Sequence, residues 1–385
     1  DILLSLANSN YVLGNFESAK SLYLKVIKMN KYNPRGYYGL YLIDPKYLTS
    51  KYLSDLIEIK NRNTNLNGNY LVEYLLSKIA RQKKDYDLEL SHLKKYQDEC
   101  FKSKNDHNLQ GLFYYNKIIS KHFNKINFEK TLSENSELKN LSPIFIIGLP
   151  RSGSTLVESL LSAAKSDIFS LGETSIFNTS ILNQIKDHIF QKNFNIENYV
   201  LNINVIELEE NIINRYQNYL PKNKKKKLFI DKSLENFFNI ESILKVFPNA
   251  LFINTKRNYI DSAIAIYQAM LPDLPWTHKI SDILNYMDDY IKIISFFENK
   301  YPNKILTINL DELTNNQEFY SKKIFKFCSL SWSPEILKFY KKKDLIVKTL
   351  SNTQIRGQIT QYNQNKYKPY EKLLENFINK YDWLN

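Results

Sequence analysis

The chain has 385 residues, of which 43% are hydrophobic, and a formal net charge of +13. This length exceeds that of one small domain and predicts two, and the hydrophobic content suffices for sizeable cores. The excess of Lys and Arg, 53 against 40 Asp and Glu, favours an anionic partner: a nucleotide, a nucleic acid, an acidic peptide or a membrane surface. Because lysine is abundant throughout the chain, part of this charge belongs to solvated surface.

Cysteine and histidine usage excludes disulfide scaffolds and common metal sites. Cys100 and Cys328 lie far apart, so a reducing cytoplasm is the simplest compartment. The five histidines show no paired metal-binding spacing, and we expect no metal. No run is long and apolar enough to cross a bilayer. Because the chain begins with Asp1 rather than Met, a preceding signal or anchor stays open.

Residues 1–135 are predicted to form an all-α domain. Residues 1–33 combine helical spacing of large apolar residues with small residues that let two helices approach each other. This hairpin and a degraded copy at 70–101 are similar to tetratricopeptide repeats, in which each unit stacks on its neighbours. Residues 34–68 and 108–132 also have helical spacing. An irregular helical domain is the alternative.

The polar stretch 135–142 marks the boundary to a predicted α/β domain at 141–385. Amphipathic helical stretches separate the predicted strands, which are 144–148, 167–171, 228–231, 250–255 and 304–309. This alternation implies a P-loop-like, three-layer domain with a mostly parallel sheet and ligands at the carboxyl ends of its strands. The lysine run 224–227 indicates either a solvated loop or a patch for an acidic acceptor.

The first predicted strand leads into a loop and then into a helix, predicted from Thr155 to Ala164. Gly148 and Gly153 have the G-x-x-x-x-G spacing of a phosphate loop. A strand, a tight loop and a helix N-terminus together point backbone N–H groups at an anion. A nucleoside triphosphatase would have lysine after the second glycine, but here the cation is Arg151, inside the loop. The loop therefore suits a phosphate group rather than a magnesium triphosphate. An ordinary strand–helix turn is the alternative.

The run from Pro150 to Leu156 resembles the 5′-phosphosulfate loop of sulfotransferases that use 3′-phosphoadenosine 5′-phosphosulfate (PAPS). The chain is most similar to the tyrosylprotein-sulfotransferase-like branch and to bacterial sulfotransferases with an N-terminal tetratricopeptide array. The resemblance implies a metal-free, bacterial cytoplasmic enzyme that transfers a sulfuryl group from PAPS to an acceptor hydroxyl. It also implies that the donor is cradled by Arg151, Ser152, Gly153, Ser154 and Thr155.

The resemblance assigns two catalytic residues. Glu173 follows the second strand as part of a Gly-Glu pair that holds the catalytic base in tyrosylprotein sulfotransferases; a helix N-cap carboxylate is the alternative. Lys232 follows the third strand, where the family's lysine contacts the bridging oxygen of the donor; an exposed surface lysine is the alternative. Relatives continue with proline or histidine, whereas this chain has Leu234, Glu235 and Asn236. Glu235 is therefore a rival base, and Asn236 a candidate helper.

The resemblance also assigns residues that bind the nucleotide. Arg257 follows the fourth strand, where an arginine of the family holds the donor's 3′-phosphate together with a serine eight residues later. That position is Ala265 here, which counts against the donor assignment. Gln354 and Arg356 match a Gln-x-Arg that closes on the donor in relatives, and Lys366 extends the same lid. A surface arm is the alternative.

Two other functions stay open. The first is a P-loop kinase or nucleoside triphosphatase, against which the missing lysine counts. The second is a catalytically inactive helical-repeat adaptor, which Ala265 favours. The acceptor stays open among a protein tyrosine bound by the helical repeats, a glycan, a lipid and a small metabolite. We expect no nucleic-acid partner, and a homodimer stays open.

Overall fold

The computed structural model describes residues 2–62, 69–124, 141–164, 168–185, 205–219, 228–341, 352–363 and 365–384. The predicted lysine run 224–227 and most of the predicted boundary at 135–142 lie outside the described residues. Residues up to 124 are helical, and a parallel sheet with helices follows from residue 144. The predicted order of a helical region followed by an α/β region is therefore confirmed.

Two helical hairpins were predicted in the helical region, at residues 1–33 and 70–101, and both form. Helices α1 and α2 are joined through Gly14, whose φ is +83°. Ala7 and Ala19 are fully buried between these two helices, as their small size predicted. The helices of this region are α1 Ile2–Leu13, α2 Phe16–Met29, α3 Pro34–Ile43, α4 Leu53–Arg62, α5 Asn69–Gln82, α6 Tyr86–Ser103, α7 Asn105–Phe113, a π-helix Tyr114–Ile119 and α8 Ser120–His122. Whether the hairpins are tetratricopeptide repeats stays a prediction.

The α/β region contains all five predicted strands, at β1 Ile144–Gly148, β2 Ile168–Ser170, β3 Leu228–Asp231, β4 Leu251–Lys256 and β5 Ile305–Asn309. The sheet is parallel, with strand order β2-β3-β1-β4-β5. Strand β1 lies at its centre, between β3 and β4, and all five of its residues are buried. The loops after these three strands therefore meet at one edge of the sheet.

Helices cover both faces of the sheet. They are α9 Ser154–Ser162, α10 Ile176–Ile185, α11 Val205–Tyr219, α12 Ile240–Val246, α13 Tyr259–Tyr267, α14 Ile280–Lys300, α15 Leu310–Asn315 and α16 Gln317–Phe327. Short 3₁₀ turns complete the described chain at Pro45–Tyr47, Ser50–Tyr52, Leu234–Asn239, Pro275–Thr277, Pro334–Lys341, Gln354–Arg356, Lys368–Leu373, Glu375–Lys380 and Asp382–Leu384. None of the helices within the described ranges is long and apolar enough to cross a membrane.

Alternate side chains of β1 enter different cores. Ile144 and Ile146 pack with residues of α9 on one face of the sheet. Phe145 and Ile147 belong to the largest apolar cluster, which also contains Tyr74 of α5. Because side chains alternate across a strand, one strand joins both cores. The helical region therefore shares a continuous core with one face of the sheet.

Polar contacts also fix the helical region to the segment after α13. Lys78 Nζ of α5 donates to the carbonyl oxygen of Gln268 at 3.0 Å, and Arg81 donates to the side-chain oxygen of Gln268 at 2.9 Å. Gln97 of α6 donates to the carbonyl oxygen of Tyr267 at 2.7 Å. These contacts connect residues far apart in the sequence, so the two regions are held in one arrangement.

Burial of Lys78 generates a prediction about stability and pH. Desolvation lowers the pKa of Lys78 from 10.5 to about 7. Between these values the unfolded lysine holds a proton that the folded lysine lacks, so the free energy of unfolding rises with pH, by up to about 1.4 kcal/mol per pH unit. Lys78→Met should flatten this rise between pH 7 and pH 9 in denaturant titrations. Lys95→Met, at an exposed position of α6, is the matched control, and equal slopes in both variants would contradict the prediction.

Candidate active site

A cavity of about 890 Å³ lies at the carboxyl edge of the sheet. Loops after β1, β2, β3 and β4 contribute to its wall, together with residues 354–355, 357–363 and 366–367. Tyr11 and Leu42 of the helical region also line it. Of the residues predicted from the sequence, the structure brings to this wall Arg151, Gly153, Ser154, Thr155, Glu173, Arg257, Gln354 and Lys366.

The loop after β1 has a backbone shape that suits an anion. Gly148, Arg151 and Gly153 have φ values of +138°, +66° and +94°, and α9 begins directly afterwards at Ser154, one residue earlier than predicted. Left-handed residues next to a helix N-terminus turn backbone N–H groups toward a concave site. The strained φ of Arg151, a residue with a side chain, is a feature that clusters at binding sites.

Gly148, the last residue of β1, and Ser152 of the following loop contact Thr255 of β4. A Cβ atom at Gly148 would lie 2.4 Å from the carbonyl oxygen of Thr255. The buried Ser152 hydroxyl donates to the carbonyl oxygen of Leu149 at 2.7 Å and lies 2.8 Å from the Thr255 hydroxyl. Ser152 was predicted to be part of the donor cradle, and the structure directs its side chain into the strand contact instead of onto the cavity wall.

Lys232 is buried between two carboxylates. Its ammonium group contacts Glu173 Oε1 directly and lies 3.7 Å from Glu158 Oε2. The Lys232 side chain is 2% exposed, whereas that of Glu173 is 57% exposed and lines the cavity. Lys232 is therefore not the exposed surface lysine of the alternative interpretation. It reaches the cavity through its contact with Glu173 and fixes the orientation of that carboxylate.

Asp231 joins the loops that carry these two residues, although no role was predicted for it. Its buried carboxylate accepts hydrogen bonds from Tyr216 at 2.6 Å, from the Thr174 hydroxyl at 2.7 Å and from the backbone N–H of Ser233 at 2.9 Å. Thr174 follows Glu173, and Ser233 follows Lys232. The carboxylate thereby sets the spacing between the catalytic candidates.

Glu235 presents a second carboxyl group to the cavity. It accepts a hydrogen bond from Tyr115 of the π-helix at 2.9 Å. Burial raises the pKa of Glu235, against the opposing effect of that hydrogen bond. Asn236, the predicted helper, is fully buried behind it. The rival base suggested by the sequence thus lies in the same cavity as Glu173, in a drier environment.

Arg257 lies beside the loop after β1. Its guanidinium donates to the carbonyl oxygen of Arg151 at 3.1 Å and contacts the hydroxyl of Tyr362, whose ring centroid is 4.5 Å away. The Arg257 Nε atom is buried and has no hydrogen-bond partner among the described residues. The Ser262 hydroxyl donates to the carbonyl oxygen of Asn258 at 2.9 Å. It therefore does not take the place of the serine that relatives have at the position of Ala265.

Arg356 lies away from the cavity wall, in contrast to the predicted lid. Its guanidinium donates to the carbonyl oxygen of Val12 at 3.0 Å and to the side-chain oxygen of Asn352 at 2.8 Å, and it packs against Gly14. Residues 354–356 form a 3₁₀ turn with three residues per turn, so positions 354 and 356 face different directions. Gln354 therefore lines the cavity while Arg356 binds the helical region.

Several residues of the wall were not predicted from the sequence as parts of a site. They are Tyr362, which contacts Arg257, and an apolar group made of Met270, Leu271, Pro272, Leu274, Trp276 and Tyr286. Tyr11 and Leu42 were also missed, because their spacing in the sequence is that of an ordinary helix core. Only the tertiary contacts show that these side chains meet at the cavity.

One family model matches part of this chain. Residues 143–334 match the model of the sulfotransferase family. This match covers β1 to β5 and every loop of the cavity up to residue 334. The match agrees with the sulfotransferase resemblance. The tyrosylprotein-sulfotransferase-like branch stays a prediction.

Comparisons with individual proteins give partial matches at 30% identity or less. A protein of Aquifex aeolicus described as uncharacterized is 30% identical over 241 residues, which are 60% of this chain and 31% of the Aquifex protein. The chain thus spans less than a third of the length of that relative. Among solved structures, the sulfotransferase domain of a Synechococcus olefin synthase has a TM-score of 0.42 at 16% identity, covering 62% of this chain and 91% of that one. A Mycobacterium tuberculosis sulfotransferase has a TM-score of 0.36 at 13% identity, covering 87% and 94%.

Nothing in the described part of the chain forms a group of three or more His, Cys, Asp and Glu residues that could hold a metal ion.

The contact between Gly148 and β4 generates a prediction about stability. Gly148→Ala places a Cβ against the Thr255 carbonyl at a φ that side chains rarely adopt, so the free energy of unfolding should fall by about 2 kcal/mol or more. Gly357→Ala is the matched control, because Gly357 has φ −121° and no atom within 4 Å of the added Cβ. Denaturant titrations compare the two variants, and similar losses in both would contradict the argument.

Proposed function

We propose that this protein transfers the sulfuryl group of PAPS to an acceptor hydroxyl. The observation that carries the proposal is the convergence of Arg151, Glu173 and Arg257 on one cavity, with Lys232 in contact with Glu173. These residues follow β1, β2, β4 and β3 respectively, and the resemblance assigned each of them a role in this reaction.

The nucleotide end of the cavity fits a donor that carries phosphate groups. The loop after β1 offers a helix N-terminus and left-handed residues to the 5′-phosphosulfate. Arg257 is fixed by Arg151 and Tyr362 but retains a buried Nε without a partner, which a 3′-phosphate oxygen would satisfy. Lys366 lines the same cavity and adds a further cation. Arg257 and Lys366 thus offer cations to the 3′-phosphate, although the serine that contacts this phosphate in relatives is replaced by Ala265 here.

The two charged residues at the reacting centre have complementary tasks. Glu173 accepts the proton of the acceptor hydroxyl while the acceptor oxygen bonds to sulfur. The bond between sulfur and the bridging phosphate oxygen breaks, and 3′,5′-adenosine bisphosphate leaves with the electron pair. Lys232 stabilises the negative charge that develops on that oxygen. The anionic donor competes with Glu173 for Lys232, which releases the carboxylate to act as a base.

Donor binding provides the first test. Calorimetry with 3′,5′-adenosine bisphosphate in the absence of magnesium should show binding, and Arg257→Met should weaken it by at least about tenfold because charge-assisted hydrogen bonds are lost. Arg62→Met is the matched control, since Arg62 is an exposed arginine of the helical region whose side chain is 60% exposed. Magnesium-dependent binding of ATP, with no response to the bisphosphate, would contradict the proposal.

The second test separates the two carboxyl groups. Glu173→Gln should lower the rate of sulfuryl transfer from labelled PAPS by about a hundredfold or more while binding of 3′,5′-adenosine bisphosphate persists. Glu235→Gln is the comparison, because it alters the other carboxyl group of the cavity with the same change in charge. Full activity of Glu173→Gln would eliminate Glu173 as the base, and a selective loss in Glu235→Gln would assign that role to Glu235.

A further inference from the structure

The cavity has a second end, made of apolar side chains and one carboxyl group. We call it the acceptor end and define it as Glu235, Met270, Leu271, Leu274, Trp276 and Tyr286. The 3₁₀ turn Pro275–Thr277 and helix α14 supply its ring side chains, and the 3₁₀ turn Leu234–Asn239 supplies the carboxyl group. None of these six residues was among the predicted donor contacts.

Ring contacts connect the apolar wall to the carboxyl group. The rings of Trp276 and Tyr286 stack at 3.7 Å with an interplanar angle of 4°, and Tyr286 meets Tyr115 edge-on at 5.5 Å. The Tyr115 hydroxyl in turn binds Glu235 at 2.9 Å. The wall is therefore a rigid aromatic surface with a carboxyl group at one end.

The cations of the cavity wall belong to segments other than the acceptor end. Among the described residues that line the cavity, the lysines and arginines are Arg151, Arg257 and Lys366. Arg257 binds the Arg151 carbonyl, and both Arg257 and Lys366 lie 5.1 Å from the ring of Tyr367. These contacts place Arg257 and Lys366 together, beside the backbone of Arg151 in the loop after β1.

Charges near the acceptor end are negative or already paired. Glu235 and Glu173 both face the cavity, and Asp273 pairs with Lys104 at 2.5 Å at the exposed rim. An acidic peptide or an acidic glycan would bring its carboxylates toward Glu235 and Glu173 without a cation to meet them in the described wall. Like charges and unpaired buried charges are both unfavourable, so the wall disfavours anionic acceptors.

The loop that carries Glu173 is hydrogen-bonded to the loop that carries Glu235. Ser175 and Ser233 line the cavity, and the backbone N–H of Ser175 donates to the Ser233 hydroxyl at 2.7 Å. Ser175 is two residues from Glu173, and Ser233 is two residues from Glu235. The loops that carry the two carboxyl groups therefore contact each other at the cavity wall.

We propose that the acceptor end binds an uncharged hydroxyl compound with an apolar, ring-bearing body. The proposal rests on the proposed sulfuryl transfer and names the acceptor class for that same cavity. A volume of about 890 Å³ is at the upper end of the range for small-molecule sites, which leaves room for such a compound beside the donor.

The experiment compares two probes that differ by one carboxylate. Protein saturated with 3′,5′-adenosine bisphosphate is titrated with 2-naphthol and with 6-hydroxy-2-naphthoate, and naphthol fluorescence reports binding. We expect 2-naphthol to bind at least about tenfold more tightly, because the carboxylate of the second probe stays unpaired. Sulfuryl transfer from labelled PAPS to the same probes, and to an acidic tyrosine peptide, should show the same order.

A variant tests the location. Leu271→Lys adds a cation to the apolar wall and should reduce the preference for the uncharged probe by about tenfold, with binding of 3′,5′-adenosine bisphosphate unchanged as evidence of folding. Ile57→Lys is the matched control, since Ile57 is an exposed residue of α4 outside the cavity. An unchanged preference in Leu271→Lys that still binds the bisphosphate would overturn the assigned location.

The outcomes separate the two proposals. Preference for 6-hydroxy-2-naphthoate or the acidic peptide, or no binding of either naphthol to protein that holds the bisphosphate, would overturn the acceptor class and leave sulfuryl transfer standing. Failure to bind the bisphosphate and to transfer the label to any acceptor would overturn the proposed function as well.

Discussion

Strand β1 has a parallel neighbour on each side, and the candidate site depends on that pairing. Gly148, the last residue of β1, pairs with Thr255 of β4, so the loops that carry Arg151 and Arg257 start from adjacent points. Strand β3 ends at Asp231, opposite Phe145 of β1, and the loop that carries Lys232 starts there. Gly148 makes this approach close enough, since any side chain there would meet the Thr255 carbonyl. This glycine contact in the middle of the sheet thus keeps the loop after β1 close to the end of β4.

Most of the sheet and its polar edge could be predicted from the sequence. Runs such as Ile144–Ile147 are apolar and largely β-branched, and turn residues bound them, so the period and the ends of the strands are local properties. Parallel strands place their carboxyl ends at one edge, which is why Glu173 could be expected near Arg151 without knowledge of tertiary contacts. Both residues indeed line the same cavity.

Other parts of the site depend on contacts that no local pattern encodes. Arg356 matches a family motif, but the 3₁₀ turn directs it to the carbonyl oxygen of Val12, more than three hundred residues earlier in the chain. Ser152 belongs to the phosphate-loop motif, yet its hydroxyl is used by the strand contact. The stacking of Trp276 on Tyr286 likewise requires two segments whose spacing predicts only a buried core. Side-chain direction, rather than backbone type, is what the sequence did not reveal.

The contact of Arg356 with the first hairpin has a consequence for how this chain can evolve. The short turn that holds Arg356 also places Gln354 on the cavity wall, and Tyr11 of the same hairpin lies on that wall. Replacing the helical region by another would therefore remove Tyr11 from the cavity wall and the partner of Arg356 at the same time. The two regions are therefore not independent modules, and a substitution on one side of their contact alters the shape of a cavity that both sides build.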